Sequence, residues 1–120
     1  MPNTYEYRGN MAIAYLEDCS GEWPKHALEG LSDYVRDVTR NGTMHVVLDF
    51  KDIKKIVPAD ITEIMEAYEL LRRASIGLYL CNLGDENRHP HCVVRFAGLP
   101  NLPGIEVRGS LDETVAELSQ

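Results

Sequence analysis

The residues of this chain that could do chemistry fall into a few small groups. His89, His91 and Cys92 lie close together, with Cys81 upstream. Zinc takes such ligands, but a structural site needs four, and no second closely spaced pair accompanies these. "RHPHC" (88–92) is therefore expected to open a helix, with Cys92 buried, the histidines solvated and no metal bound. Asp49, Asp52 and Asp60 gather where an extended segment gives way to a helix, a pattern that would suit Mg²⁺ in a receiver-like domain. The acidic pair such a site also needs has one candidate, in "YLEDC" (15–19), and it follows the second strand of a hairpin. No GxSxG elbow exposes a serine, and neither GxGxxG nor GxxxxGK[ST] offers a phosphate cradle. Cys81 would act as a nucleophile only with a histidine aimed at it, and reads as a buried thiol. The expectation is a protein that is not an enzyme and carries no cofactor.

Charge narrows the partners. Lys plus Arg number 12 against 19 Asp plus Glu, a net charge of −7. With no basic excess to offset phosphate, nucleic acid is not an expected partner. The three cysteines are widely spaced and form no disulfide framework. "MPNTYEYRGN" has no basic start followed by an apolar run, and no apolar stretch approaches the roughly 20 residues of a membrane span, so a cytoplasmic protein without direct membrane insertion is expected. The length, 120 residues, suits one domain over 1–120.

These groups need elements to position them. "TYEYRG" (4–9) and "MAIAYLE" (11–17) are β-rich and separated at Gly9-Asn10, the chemistry of a tight hairpin. Pro24 suits a first helical turn, and Ala27, Leu28, Leu31, Tyr34, Val35 and Val38 then mark one buried helical face, ended by Asn41-Gly42. "MHVVLDF" (44–50) reads as a central strand buried on both faces. After it, "KKIVPADITEIMEAYELL" (54–71) turns from extended chain into a helix with Ile61, Ile64, Met65, Tyr68 and Leu71 on one face. "SIGLYLC" (75–81) is a second buried strand, a polar loop leads to a short helix opened by Pro90, and "IEV" (105–107) is a last strand. Ser110-Leu-Asp-Glu113 forms a capping box for a final helix. Strands and helices alternating after a hairpin predict an α/β fold, a mixed sheet with parallel β-α-β units and about four helices.

The stretch from 45 to 118 resembles a STAS domain, the SpoIIAA-like fold of the bacterial anti-sigma factor antagonists. "VVLDF" (46–50) is similar to the family's Val-Leu-Asp-Leu-like strand, "FAGLPNLPGIEV" (96–107) to its third helix end and last strand, and "SLDETVAEL" (110–118) to its closing helix. The hairpin and first helix also fit. The resemblance implies a regulatory protein that works by protein–protein contact in signalling and transcription regulation. It also implies an Asp-Ser-Ser-Gly turn, phosphorylated in partner-switching members by a kinase-type anti-sigma factor. Here that turn falls on Val57-Pro58-Ala59-Asp60, and Pro58 and Ala59 carry no hydroxyl. Thr62 has the nearest one.

Asp60 has two readings. With Glu63 three residues on, it is an N-cap with a supporting carboxylate. It could instead stand as a permanent, partial mimic of the phosphorylated state, since a helix N-terminus favours negative charge. The expected partner surface is Asp60, Thr62, Glu63 and Glu66 with Leu83, Gly84 and Asp85 of the 82–88 loop, its acidic groups suited to a basic groove on an anti-sigma-factor-like, kinase-like or other regulatory protein. A homodimer is a further possibility. The alternative is a small-molecule module for a nucleotide or lipid, with Cys81, the 82–92 loop and Trp23 lining a pocket, or a soluble subunit of a transporter complex.

Overall fold

A computed structural model describes residues 4–17, 28, 30–40, 42–85 and 88–119. Strand β1 (Thr4–Arg8) runs antiparallel to β2 (Met11–Glu17), with Thr4 opposite Tyr15 and Arg8 opposite Met11. Gly9, at φ 57°, supplies the left-handed conformation that a two-residue hairpin turn requires. From β2 onward, β3 (His45–Asp52), β4 (Gly77–Cys81) and β5 (Ile105–Val107) are all parallel, in the spatial order β1-β2-β3-β4-β5. The mixed five-stranded sheet and the α/β class agree with the sequence reading.

Helices α1 (Leu31–Val38), α2 (Pro58–Arg73) and α3 (His89–Phe96) are the crossovers between successive parallel strands. Each links a strand to its immediate neighbour, and right-handed crossovers in one direction put all of them on one sheet face. Their apolar stripes meet Ala12, Ala14, Leu16, Val46, Leu48, Phe50, Leu78 and Leu80 in the main core. Helix α4 (Leu111–Leu118) follows the last strand and crosses to the other face, where Leu111, Val115 and Leu118 cover Ile13, Val47, Tyr79 and Cys81. Central strand β3 is thus buried on both sides, which accounts for its unbroken aliphatic run.

Three local expectations need correction. The first described helix starts at Leu31, because Gly30 at φ 85° breaks the helical path in front of it; Pro24 and Ala27 lie outside the described residues. The second sheet strand over 75–81 starts only at Gly77, since Ser75 takes φ 58° in the turn after α2. Cys92 is exposed rather than buried: α3 turns Pro90 and Val94, an i,i+4 pair, towards the core, and Cys92 lies midway between them on the opposite side. Ser110 caps α4 as read, its Oγ accepting from the Glu113 amide at 3.1 Å.

Candidate protein-interaction site

The carboxyl ends of the parallel strands and the helix starts that follow them form one rim of the molecule. At this rim β3 runs through residues 53–57 into α2. Proline at the first helical position sacrifices an N–H that would have no intrahelical acceptor. The N-cap is Val57, in an extended conformation, and its side chain cannot accept a hydrogen bond. That task passes to Asp60, the third helical residue, which is therefore not the N-cap expected from the sequence.

Asp60 is only 1% exposed. Its Oδ2 accepts from the Val57 amide at 3.0 Å, and its Oδ1 accepts from the Leu28 amide at 3.0 Å. The carboxylate thus closes the first turn of α2 and pins the chain entering α1 to it. A negative charge at a helix N-terminus with two backbone donors is stabilised where it stands. Glu63, one turn on, points the same way, its Oε1 accepting from the Gly30 amide at 3.3 Å. Asp60 presents no charge to a partner, so its expected place on the contact surface is corrected: it is an internal cap, buried because α1 and α2 need a shared acceptor. The same holds for Leu83, 2% exposed in the main core.

Pro58, Ala59, Thr62 and Glu66 remain exposed on the outer side of α2's first turns, and Gly84 and Asp85 are exposed in the β4–α3 loop. The Thr62 hydroxyl, at the fifth position of α2, donates back to the Pro58 carbonyl at 3.3 Å, the i−4 bond a threonine can make within a helix.

A residue that sequence reasoning passed over joins the two loops. Arg88 donates from Nη1 to the Asn82 carbonyl at 2.9 Å and to Phe50 at 3.5 Å, and from Nη2 to the Lys51 carbonyl at 3.2 Å and to the Ile53 carbonyl. One guanidinium therefore fastens the β3–α2 loop to the β4–α3 loop. Next to it, His89 Nδ1 accepts from the Ile56 amide at 3.2 Å. Gly84 makes room: at φ 85°, any Cβ there would run into the Arg88 side chain. The only sequence cue was an arginine directly before a helix-opening His-Pro, which does not reveal carbonyls more than thirty residues upstream.

Asp49 and Asn82 brace the strand ends. Asp49 Oδ1 accepts from the Lys51 amide at 3.0 Å and from Asn82 Nδ2 at 2.8 Å. Asn82 holds φ 59°, a conformation that asparagine tolerates better than most residues. Asp49, Asp52 and Asp60 do not converge, and no group of His, Cys, Asp or Glu among the described residues could hold a metal ion. Cys81 is buried, its Sγ donating to Thr114 Oγ1 at 3.3 Å, and burial pushes its thiol pKa up, the direction opposite to that of an activated nucleophile. The small-molecule reading expected it to line a pocket with the 82–92 loop; Cys81 is not among the described residues that line the cleft at Asn82–Gly84, and Trp23 lies outside the described residues.

No family model and no curated protein sequence matches the chain. Solved structures do. The NMR structure of the protein TM1081 superposes with a TM-score of 0.73 at 12% identity, covering 97% of this chain and 87% of its own. A crystal structure of the same Thermotoga maritima protein, described as a proposed anti-sigma factor antagonist, gives 0.72 at 11% identity, with 98% and 95% covered. An anti-sigma factor antagonist of Mycobacterium paratuberculosis gives 0.65 at 11% identity, with 98% and 93% covered. The chain has the STAS fold. The match runs over nearly the full length of both partners, and at such low identity it is a likeness of architecture: hairpin, three crossovers on one face, closing helix on the other. In the STAS frame the exposed Pro58-Ala59 step opens the helix after the central strand. No described helix is long and apolar enough to cross a membrane.

Proposed function

We propose that this protein is a non-enzymatic regulator, similar to the anti-sigma factor antagonists, that acts by binding another protein through the outer face of the α2 start. One observation carries the reading: Pro58, Ala59, Thr62 and Glu66 form an exposed patch on the helix start, while the carboxylate that could have been displayed there, Asp60, is turned inward. Pro58 and Ala59 stand where STAS switch proteins carry serine, so binding is governed by partner abundance, a ligand or assembly rather than by phosphorylation there. The partner is a regulatory protein of the anti-sigma factor or kinase-like type, with a basic groove facing Glu66 and the exposed Asp85 of the neighbouring loop.

The test separates surface from scaffold. A Thr62→Lys, Glu66→Lys double variant changes only exposed positions and leaves the Asp60 cap intact. Affinity capture from host lysate is expected to recover a regulatory protein with the parent chain and to lose it with the double variant, at unchanged thermal stability. Equal recovery with both chains would remove this face from consideration.

A further inference from the structure

A cleft of about 570 Å³ lies at the carboxyl ends of β3, β4 and β5, lined by Lys51, Asn82–Gly84, Arg88, His91, Val107, Arg108 and Gly109. Its size is within the range of about 300–1,000 Å³ typical of small-molecule sites, and its place beyond the carboxyl ends of parallel strands is where α/β sheets bind ligands. Its charge is unlike that of the rest of the protein. The chain carries a net −7, yet none of the lining residues among those described is acidic, and Lys51, Arg88, His91 and Arg108 are basic.

Those cations differ in how far they are spent. Arg108 is paired with Glu106 at 3.2 Å and Glu117 at 2.7 Å, so much of its charge is offset, although its Nε–H is buried without an acceptor among the described residues. Among the described residues the Arg88 guanidinium bonds only to neutral carbonyls, which hold it rigidly and leave its charge whole, while its backbone amide donates to Asp85 Oδ1 at 3.1 Å. Lys51 is exposed and makes no ion pair with a described residue. The backbone at Gly84 and Gly109 brings no side chain into the cleft, and Leu83 and Val107 supply apolar wall. His91 Nδ1 is held by the Gly84 carbonyl at 2.8 Å, which makes Nδ1 the protonated nitrogen and leaves Nε2 an acceptor in the neutral ring. The adjoining cleft, about 460 Å³, shares Lys51 and Asn82 but is lined by Asp49, Asp52 and Asp112, which repel an anion. Field focusing in a concave site therefore favours negative charge on one side of Lys51 only.

We infer that this cleft binds a small organic molecule through an oxyanion head group, a phosphate ester or a carboxylate, set against Lys51 and the fixed Arg88. This site is separate from the α2 face, and its test does not depend on a protein partner being found. Amide chemical shifts of the ¹⁵N-labelled full chain are followed during titration with phenyl phosphate, benzoate, inorganic phosphate and phenol. Phenyl phosphate or benzoate is expected to give saturable shifts centred on Asn82, Gly84, Arg108 and Gly109, and the tighter of the two identifies the head group. Phenol is expected to give none, and inorganic phosphate to bind more weakly for want of the apolar wall. Lys51→Ala, at an exposed position, is expected to weaken binding by about fivefold, the scale of one charge contact. Absence of saturation at millimolar ligand, equal binding of phenol, or an affinity indifferent to Lys51→Ala would overturn the inference.

Discussion

At the scale of single residues, Asp60 has the largest structural role that its position does not advertise. Replacing it with alanine removes the acceptor for two backbone donors, the Val57 and Leu28 amides. Each buried N–H left unpaired costs about 1–3 kcal/mol, so Asp60→Ala is expected to lose about 2–5 kcal/mol in urea denaturation, and Asp60→Asn less, since its amide oxygen can still serve one donor. Glu66→Ala, on the exposed side of the same helix, is expected to change stability by no more than about 0.5 kcal/mol. If Asp60→Ala proves as stable as the parent, the charge is not a cap. The two described cysteines offer a second contrast. Cys92 is exposed, whereas Cys81 is buried with its thiol pKa raised by burial. In a Cys19→Ser background, iodoacetamide at pH 8 is expected to label Cys92 in the native protein and to reach Cys81 only in denaturant, as read by peptide mass.

At the scale of elements, the rim at the strand ends depends on the fastening of its loops: the Asn82 amide donates to the Gly109 carbonyl at 3.0 Å, and side chains make the other links described above. Arg88 spans from the β4–α3 loop to the backbone of the β3–α2 loop, and Gly84 is the glycine that permits it. Gly84→Ala meets two obstacles, a left-handed φ and the Arg88 side chain, and is expected to cost about 1–3 kcal/mol. Hydrogen exchange should localise the damage. Arg88→Ala is expected to speed exchange at the Ile53 and Ile56 amides while leaving the β3 ladder protected, because the sheet is held by its own pairing and by core packing. Uniformly faster exchange across the sheet would mean that Arg88 supports the fold as a whole and not the rim. Several elements are legible because their signals are local: Gly9-Asn10 for the hairpin, Pro90 for a helix start, Ser110 for the last cap; α2 begins at Pro58, ahead of the Asp60 cap that the sequence suggests. The first described helix shows the limit, since a left-handed Gly30 inside an apolar period is invisible to periodicity.

For the whole molecule, the titrating groups with raised pKa values set an alkaline limit on stability. Burial, reinforced by Tyr7 and Tyr5, pushes Tyr34 well above the ordinary tyrosine value; Tyr79 and Cys81 are raised mainly by burial, and Tyr15 mainly by its hydrogen bond to Glu6 at 2.6 Å. A group whose folded pKa exceeds its unfolded one contributes stability fully below the unfolded value and loses it as pH rises through the folded one. Thermal melting is therefore expected to hold between pH 7 and about pH 8, to fall slightly above about pH 8.5, where the unfolded Cys81 thiol ionises, and to fall progressively above about pH 10, where unfolded tyrosines ionise. Tyr34→Phe should flatten that fall, and a melting temperature unchanged to pH 11 would contradict it.

The succession of elements, the mixed sheet and its parallel β-α-β units followed from the sequence alone, because hydrophobic period and turn chemistry are written within a few residues of where they act. So did the missing hydroxyls at Pro58 and Ala59, which are matters of composition at a position. The spatial strand order and the faces that the helices cover belong to the tertiary structure. What only the tertiary structure decided is direction and company. Asp60 turns inward because the Leu28 amide, thirty-two residues earlier, is brought beside it by the packing of α1 on α2. The rim cations gather in one cleft because parallel strands end at a common edge, bringing together Lys51 at the end of β3, Arg88 from the β4–α3 loop and Arg108 just after β5. A chain records the first kind of fact residue by residue, whereas the second exists only once the sheet has fixed which strand ends are neighbours.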